Sequence, residues 1–132
     1  MSAHFQVLLV EDDDPLRQCL SELLSAEGWQ VRATPSGQEA IELARRYRID
    51  FSLLDMHLPG MTGLEVIQTI CREVRLVPSI MMSGQASDLE TKQALAEQAV
   101  FRFLQKPLDL DYLRGSMQML IRHHFGPGSG SA

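Results

Sequence analysis

At 132 residues and 14.8 kDa the chain fits one domain built around one core. Its 45% hydrophobic and 22% charged residues are ordinary for a globular protein, and 12 Lys+Arg against 17 Asp+Glu give a net charge of -5. Without a basic run such a chain is a poor nucleic-acid binder, because phosphate contacts need clustered Lys and Arg. No apolar run approaches the roughly 18 residues that span a bilayer.

The opening Met1-Ser2-Ala3-His4 runs straight into strand-like sequence, so no signal peptide is expected. Phe5 to Val10 reads as a buried strand. From Pro15 to about Ala26, Leu16, Cys19, Leu20, Leu23 and Leu24 recur on one helical face, with Asp14 as N-cap, Pro15 at the first helical position and Gly28 closing the far end. Gln30 to Ala33 is a short strand. Ser36-Gly37-Gln38-Glu39 has the spacing of a capping box and opens a helix through about Arg45. Phe51 to Asp55 is an apolar strand ending in an acid. After the loop Met56 to Met61, a second capping box at Thr62 to Glu65 opens a helix that turns Leu64, Ile67, Ile70 and Cys71 inward.

Ser79 to Ser83 is a fourth strand, and a third capping box at Ser87 to Glu90 opens a helix to about Gln98. Phe101 to Gln105 is a fifth strand. After Lys106-Pro107 a last helix starts at Asp109 or Leu110 and ends near Arg122. Five strands alternating with five helices over short connections predict an α/β fold: a five-stranded parallel sheet, doubly wound, with helices on both faces. The folded domain is therefore expected over residues 5–122, with residues 123–132 a flexible tail, either the stub of an interdomain linker or an appended remnant. His123-His124 reads as a solvated helix end. Cys19 and Cys71 are far apart in helical patterns, which argues against a zinc knuckle or redox pair and for reduced, cytosolic thiols.

In a doubly wound sheet, ligands bind at the carboxyl ends of the strands. The first strand ends in Glu11-Asp12-Asp13-Asp14, the third in Asp55, the fourth in Ser83 and the fifth in Lys106. Carboxylates gathered on one rim need a cation or must take up protons, and Mg2+ suits an all-oxygen site that keeps several waters. The plainer alternative is a set of helix-capping acids, which is open for Asp13 and Asp14 but accounts poorly for Glu11, Asp12 and Asp55 together.

The runs Leu8-Leu9-Val10-Glu11-Asp12-Asp13, Leu53-Leu54-Asp55 through Thr62-Gly63, Ile80-Met81-Met82-Ser83-Gly84 and Phe103-Leu104-Gln105-Lys106-Pro107 closely resemble the receiver domain of two-component response regulators, over about Phe5 to Ile121. The resemblance implies a flavodoxin-like (βα)5 fold. It also implies a switch in which Asp55 accepts a phosphoryl group from the phosphohistidine of a histidine kinase or phosphotransfer protein. Mg2+ would be held by Glu11, Asp12, Asp55 and the backbone carbonyl of His57, while Lys106 and Ser83 would contact the phosphoryl oxygens. Gly84 would leave space for the group, and Pro107 would follow a cis bond. Phe103 would be the switch aromatic with Ser83, and His57 and Gln85 would tune the lifetime of the phosphate. The domain would be cytoplasmic, with a changed protein-binding face on the fourth helix, fifth strand and fifth helix as output, acting on an output domain or downstream protein, as a monomer or a phosphorylation-dependent dimer. It would not turn over a separate substrate.

Three positions depart from the family pattern. Glu11 stands for the more frequent Asp, Phe103 lacks the hydroxyl of a tyrosine, and Ala99 stands where many receivers have Gly, at a cost of about 1 kcal/mol if that residue is left-handed. Three rival readings are open to the same residues. An aspartate-nucleophile phosphohydrolase would commonly need an acid where His57 stands. A flavin carrier would need a first loop that does not repel phosphate. A pseudo-receiver would serve only as a docking module.

Overall fold

The computed structural model describes residues 4–85 and 87–126. The elements run β1 (Gln6–Val10), α1 (Asp14–Ala26), β2 (Gln30–Thr34), α2 (Gly37–Arg46), β3 (Phe51–Asp55), β4 (His57–Leu58), β5 (Met61–Thr62), α3 (Gly63–Glu73), β6 (Ser79–Ser83), α4 (Asp88–Ala96), β7 (Val100–Gln105) and α5 (Leu110–Phe125). The five long strands form one parallel sheet in the order β2-β1-β3-β6-β7, the flavodoxin-like arrangement expected. The fourth and fifth strands expected from the sequence are thus β6 and β7. Between β3 and α3 lies an antiparallel hairpin that periodicity does not reveal, since each arm has two residues. Pro59-Gly60 closes it, with Gly60 at φ +83°, a conformation glycine adopts without steric cost.

The apolar strands serve two cores at once. On one face Val7, Leu9, Phe51, Leu53, Ile80 and Met82 pack with Leu20 and Leu24 of α1 and Leu113, Met117 and Leu120 of α5. On the other, Leu8, Val10, Leu54 and Met81 pack with Ala40, Ile41 and Ala44 of α2 and Val66, Ile67 and Ile70 of α3. Strands covered on both faces carry continuous apolar runs, while neighbouring residues still alternate between the two cores. Two of the buried polar strand residues satisfy each other: Ser52 Oγ and Ser79 Oγ are 2.5 Å apart, and Ser79 Oγ also donates to the Val77 carbonyl at 2.9 Å.

Several expectations shift. Asp13, not Asp14, caps α1, its Oδ2 accepting from the Leu16 amide at 2.9 Å. Cys19 is exposed, because the buried stripe of α1 is confined to Leu20 and Leu24 with Leu16 and Leu23 at its margin; Cys71 is half-buried against the α2–α3 core. Ser36 caps α2, but its own amide bonds Thr34 Oγ1 rather than Glu39, so only half of that capping box forms. Thr62–Glu65 and Ser87–Glu90 are complete boxes. Val66 joins the buried face of α3. A register irregularity between Ser79 and Ile80 opposite Val100–Arg102 lets β7 begin one residue early.

No described residue other than glycine has positive φ, so Ala99 is not left-handed and carries no such cost. It is buried, and its carbonyl accepts from the Ser79 amide at 2.7 Å. The last helix runs past Arg122 to Phe125, which brings His123 and His124 into it, against Phe101. His123 is exposed, while His124 is half-buried, and burial together with His123 pulls its pKa down. Residues 127–132 of the expected tail lie outside the described residues, as do Met1 to Ala3.

Candidate functional site

Strand order reverses between β1 and β3, the first stretch of chain leading outward to β2 and the later ones to β6 and β7. The crevice at that switch point is flanked by Glu11, just after β1, and Asp55, the last residue of β3. One carboxylate oxygen from each of Glu11, Asp12 and Asp55 lies within 4.8 Å of the others. Glu11 is fully buried, Asp55 nearly so, and Asp12 is exposed at the mouth.

Lys106 reaches this cluster from the end of β7. Its ammonium donates to Glu11 Oε1 at 2.7 Å and to Asp55 Oδ2 at 3.0 Å. The Lys106-Pro107 bond is cis, as the resemblance implies. Burial raises the pKa of Glu11, with Asp55 adding to the rise while the Lys106 bond and the Asp13 amide oppose it. For Lys106, burial works against the ammonium, but the bonds to Glu11 and Asp55 outweigh it and its pKa is raised. Three carboxylates against one ammonium leave two negative charges in a partly desolvated crevice. A divalent, oxygen-seeking cation matches both that charge and that donor set.

The backbone frames the cluster tightly. Glu11 Oε2 accepts from the Asp13 amide at 3.0 Å, and the Glu11 carbonyl accepts from the Arg17 guanidinium at 2.9 Å. Asp55 Oδ1 accepts from the His57 amide at 3.1 Å. Gly63 brings the start of α3 against the end of β3: its amide donates to the Met56 carbonyl at 2.7 Å, and a Cβ there would lie 2.2 Å from the Asp55 carbonyl oxygen. Asp13 and Asp14 stand apart from the cluster, one capping α1 and the other paired with Arg17 at 2.7 Å, so the plainer alternative holds for those two.

Ser83 is buried at the end of β6. Its hydroxyl lies 3.1 Å from His57 Nδ1 and accepts from the Gln85 amide at 3.1 Å. His57 is exposed and its Nε2 lies 3.0 Å from Glu90 Oε2. Gln85 is exposed; Gly84 has only Lys106 Cβ, at 3.8 Å, within van der Waals reach of an added methyl. Phe103 is half-buried at the edge of the α2–α3 core. The fold therefore gathers Glu11, Asp12, Asp55 and Lys106 into one cluster, with His57, Ser83 and Gln85 as a hydrogen-bonded flank. Sequence reasoning missed Arg17 and the second contact of Glu90. Arg17 sits three residues after Asp14, a legible pairing, but its reach to the Glu11 carbonyl depends on how the chain turns into α1.

A family model described as the response regulator receiver domain matches residues 7–118. The chain is 31% identical over 121 residues to the cell cycle transcriptional regulator CtrA of Caulobacter vibrioides, covering 92% of this chain and 52% of CtrA. It is 34% identical over 133 residues to the transcriptional regulatory protein CseB of Streptomyces avermitilis, covering 98% of this chain and 54% of CseB. The chain thus spans about half the length of these curated relatives. Among solved structures, the Vibrio cholerae chemotaxis protein CheY4 superposes with TM-score 0.81 at 28% identity, over 89% of this chain and 99% of CheY4. The non-phosphorylated HemR receiver domain of Leptospira biflexa gives 0.81 at 27%, over 89% and 94%. With the acidic crevice, the lysine and the sheet order agreeing, this chain belongs to the receiver domains of two-component response regulators.

Proposed function

We propose that the domain is a phosphorylation-controlled switch whose acceptor is Asp55. The observation that carries this reading is the Lys106 ammonium held between Glu11 and Asp55, within an acidic crevice at the sheet's switch point. Asp55 Oδ attacks the phosphorus of a kinase phosphohistidine, the P–N bond breaks with its electron pair left on the imidazole nitrogen, which takes up a proton from water, and an aspartyl phosphate remains. Phosphoryl transfer needs positioning and charge neutralisation more than covalent chemistry. The donor set fits Mg2+, which Glu11, Asp12, Asp55 and the His57 carbonyl would hold and which supplies charge neutralisation at the transferring oxygens. Lys106 supplies the second positive charge, and the Ser83 hydroxyl donates to a phosphoryl oxygen. Gln85 and His57 flank the acceptor and influence how fast water reaches the product.

Movement of Ser83 toward the phosphoryl group, with Phe103 turning into the space behind it, shifts a pre-existing equilibrium of the surface formed by α4, β7 and α5. That surface carries exposed Leu95, Tyr112 and Met119, apolar groups suited to a protein partner. The regulated partner is an output domain or a downstream protein, and the phosphoryl donor a histidine kinase or phosphotransfer protein of the cytoplasm, where Cys19 and Cys71 remain thiols. The domain turns over no separate substrate.

The test is intact mass after incubation with acetyl phosphate and Mg2+. The expected result is a gain of one phosphoryl mass that disappears in Asp55→Asn and on chelation with EDTA. An unchanged mass under conditions where Mg2+ binding is detected would overturn the acceptor assignment.

A further inference from the structure

The Ser83 hydroxyl has one proton, and the surrounding contacts determine where it goes. Glu90 Oε2, 3.0 Å from His57 Nε2, can only accept as a carboxylate, so in the neutral ring Nδ1 is the acceptor, and Ser83 Oγ, 3.1 Å from Nδ1 and accepting from the Gln85 amide, donates to it. An imidazole that accepts at Nδ1 carries its hydrogen on Nε2, and Nε2 faces Glu90 Oε2 at 3.0 Å. The other oxygen of that carboxylate, Oε1, accepts from the Ser87 amide at 3.0 Å, and Ser87 Oγ accepts from the Glu90 amide at 3.1 Å, closing the capping box that starts α4. One directed chain of hydrogen bonds therefore runs from the end of β6 through His57 to the N-terminus of α4. The hairpin that pairs His57 with Thr62 holds the imidazole's backbone in place.

We infer that His57 and Glu90 are positioning residues forming a latch: in the unphosphorylated protein they engage the proton of Ser83 and tie it to the cap of α4, and phosphorylation releases them. The inference rests on the acceptor reading above. Phosphoryl oxygens only accept hydrogen bonds, so a Ser83 hydroxyl that donates to one can no longer donate to Nδ1. His57 then loses its donor at Nδ1, and Glu90 is left with an imidazole free to turn. The competition for one proton links chemistry at Asp55 to α4, an element with a single buried residue, Ala94. Losing one hydrogen bond of ordinary net strength corresponds to a shift of about five-fold in the balance between latched and released forms.

The experiment reads the His57 ring nitrogens by NMR in the unphosphorylated 132-residue chain at a pH where the imidazole is neutral. Wild type is expected to show hydrogen on Nε2. Ser83→Ala removes the donor to Nδ1 while Glu90 still accepts from Nε2–H, so the Nδ1 resonance moves to that of an unbonded acceptor and exchange of the Ser87 and Glu90 amides speeds up about five-fold, although α4 itself is untouched. Glu90→Gln keeps an oxygen for the Ser87 amide but turns an NH2 toward His57. The imidazole must then accept at Nε2, and the preferred tautomer inverts to Nδ1–H. Averaged tautomers in wild type, or a ring indifferent to both substitutions, would overturn the latch. Acetyl phosphate with Mg2+ then separates the two readings. No gain of mass sinks the acceptor assignment and the release step but leaves the tautomer result standing. A gain of mass with an unchanged His57 Nδ1 resonance sinks the release alone.

Discussion

At the scale of single residues, Lys106 and Gly63 carry the most consequence. Lys106 compensates two carboxylates, one of them fully buried in Glu11. Lys106→Met should destabilise the protein by about 1–3 kcal/mol in metal-free buffer at neutral pH, since a buried charge left without its partner costs more than the pair contributed. Added Mg2+ should recover more stability in the variant than in wild type, which thermal melts with and without the ion would reveal. Gly63→Ala places a methyl against backbone that cannot yield, 2.2 Å from the Asp55 carbonyl oxygen. The expected cost is again about 1–3 kcal/mol, with slowed phosphorylation because α3 must back away from the acceptor. A wild-type melting temperature in this variant would show that the approach of α3 is not tight. The two thiols should separate in reactivity. Cys19 is exposed, while Cys71 is half-buried with its pKa raised by burial, so iodoacetamide should modify Cys19 first, as peptide mapping would show.

Among the elements, α3 and α4 make an instructive contrast. Both start with complete capping boxes, yet α3 buries Gly63, Val66, Ile67 and Ile70 while α4 buries Ala94 alone. Capping sets where a helix begins, and burial of an apolar face sets how firmly it is held. Leu89 and Leu95 of α4 stay exposed. Hydrogen exchange should therefore find α4 the least protected of the five helices and α3 among the most protected. Equal protection of the two would mean that Ala94 and the His57–Glu90 contact anchor α4 better than its burial implies. A weakly anchored helix beside the site is what a switch surface needs, because a small change in free energy then moves its population.

For the molecule as a whole, charge is divided between rim and flanks. The acidic crevice sits at one end of the sheet, while on the side of α2 and α3 Arg45 bonds both Glu42 and Glu73, bridging the two helices. The hydrogen bond from Arg45 holds the Glu73 pKa below its ordinary value. A carboxylate with a lowered folded pKa adds stability above its unfolded pKa and loses it as pH falls through the folded value. Arg45→Ala should thus melt slightly below wild type at neutral pH, and the two curves should converge once Glu73 is protonated in strong acid. Both groups are well exposed, so salt should shrink the difference as well.

The sequence by itself determined the order and kind of the long elements, most helix starts and the members of the acidic cluster. These are written in local chemistry: apolar runs at strand spacing, Ser/Thr–x–x–Glu boxes, and acids or a lysine at strand ends. Even there, local pattern erred by a residue where two neighbouring acids, Asp13 and Asp14, could each cap. It also put Cys19 on a buried face because spacing alone cannot tell how wide a stripe the sheet covers. Only the tertiary structure decided that the Arg17 guanidinium reaches the Glu11 carbonyl, that Gly63 admits α3 to the end of β3, and that the partner of Ser83 is His57, with Glu90 behind it. Those contacts join residues far apart in the chain, or depend on a fraction of an ångström between backbones, and hydrogen bonds form by distance and direction in space rather than by spacing along the sequence.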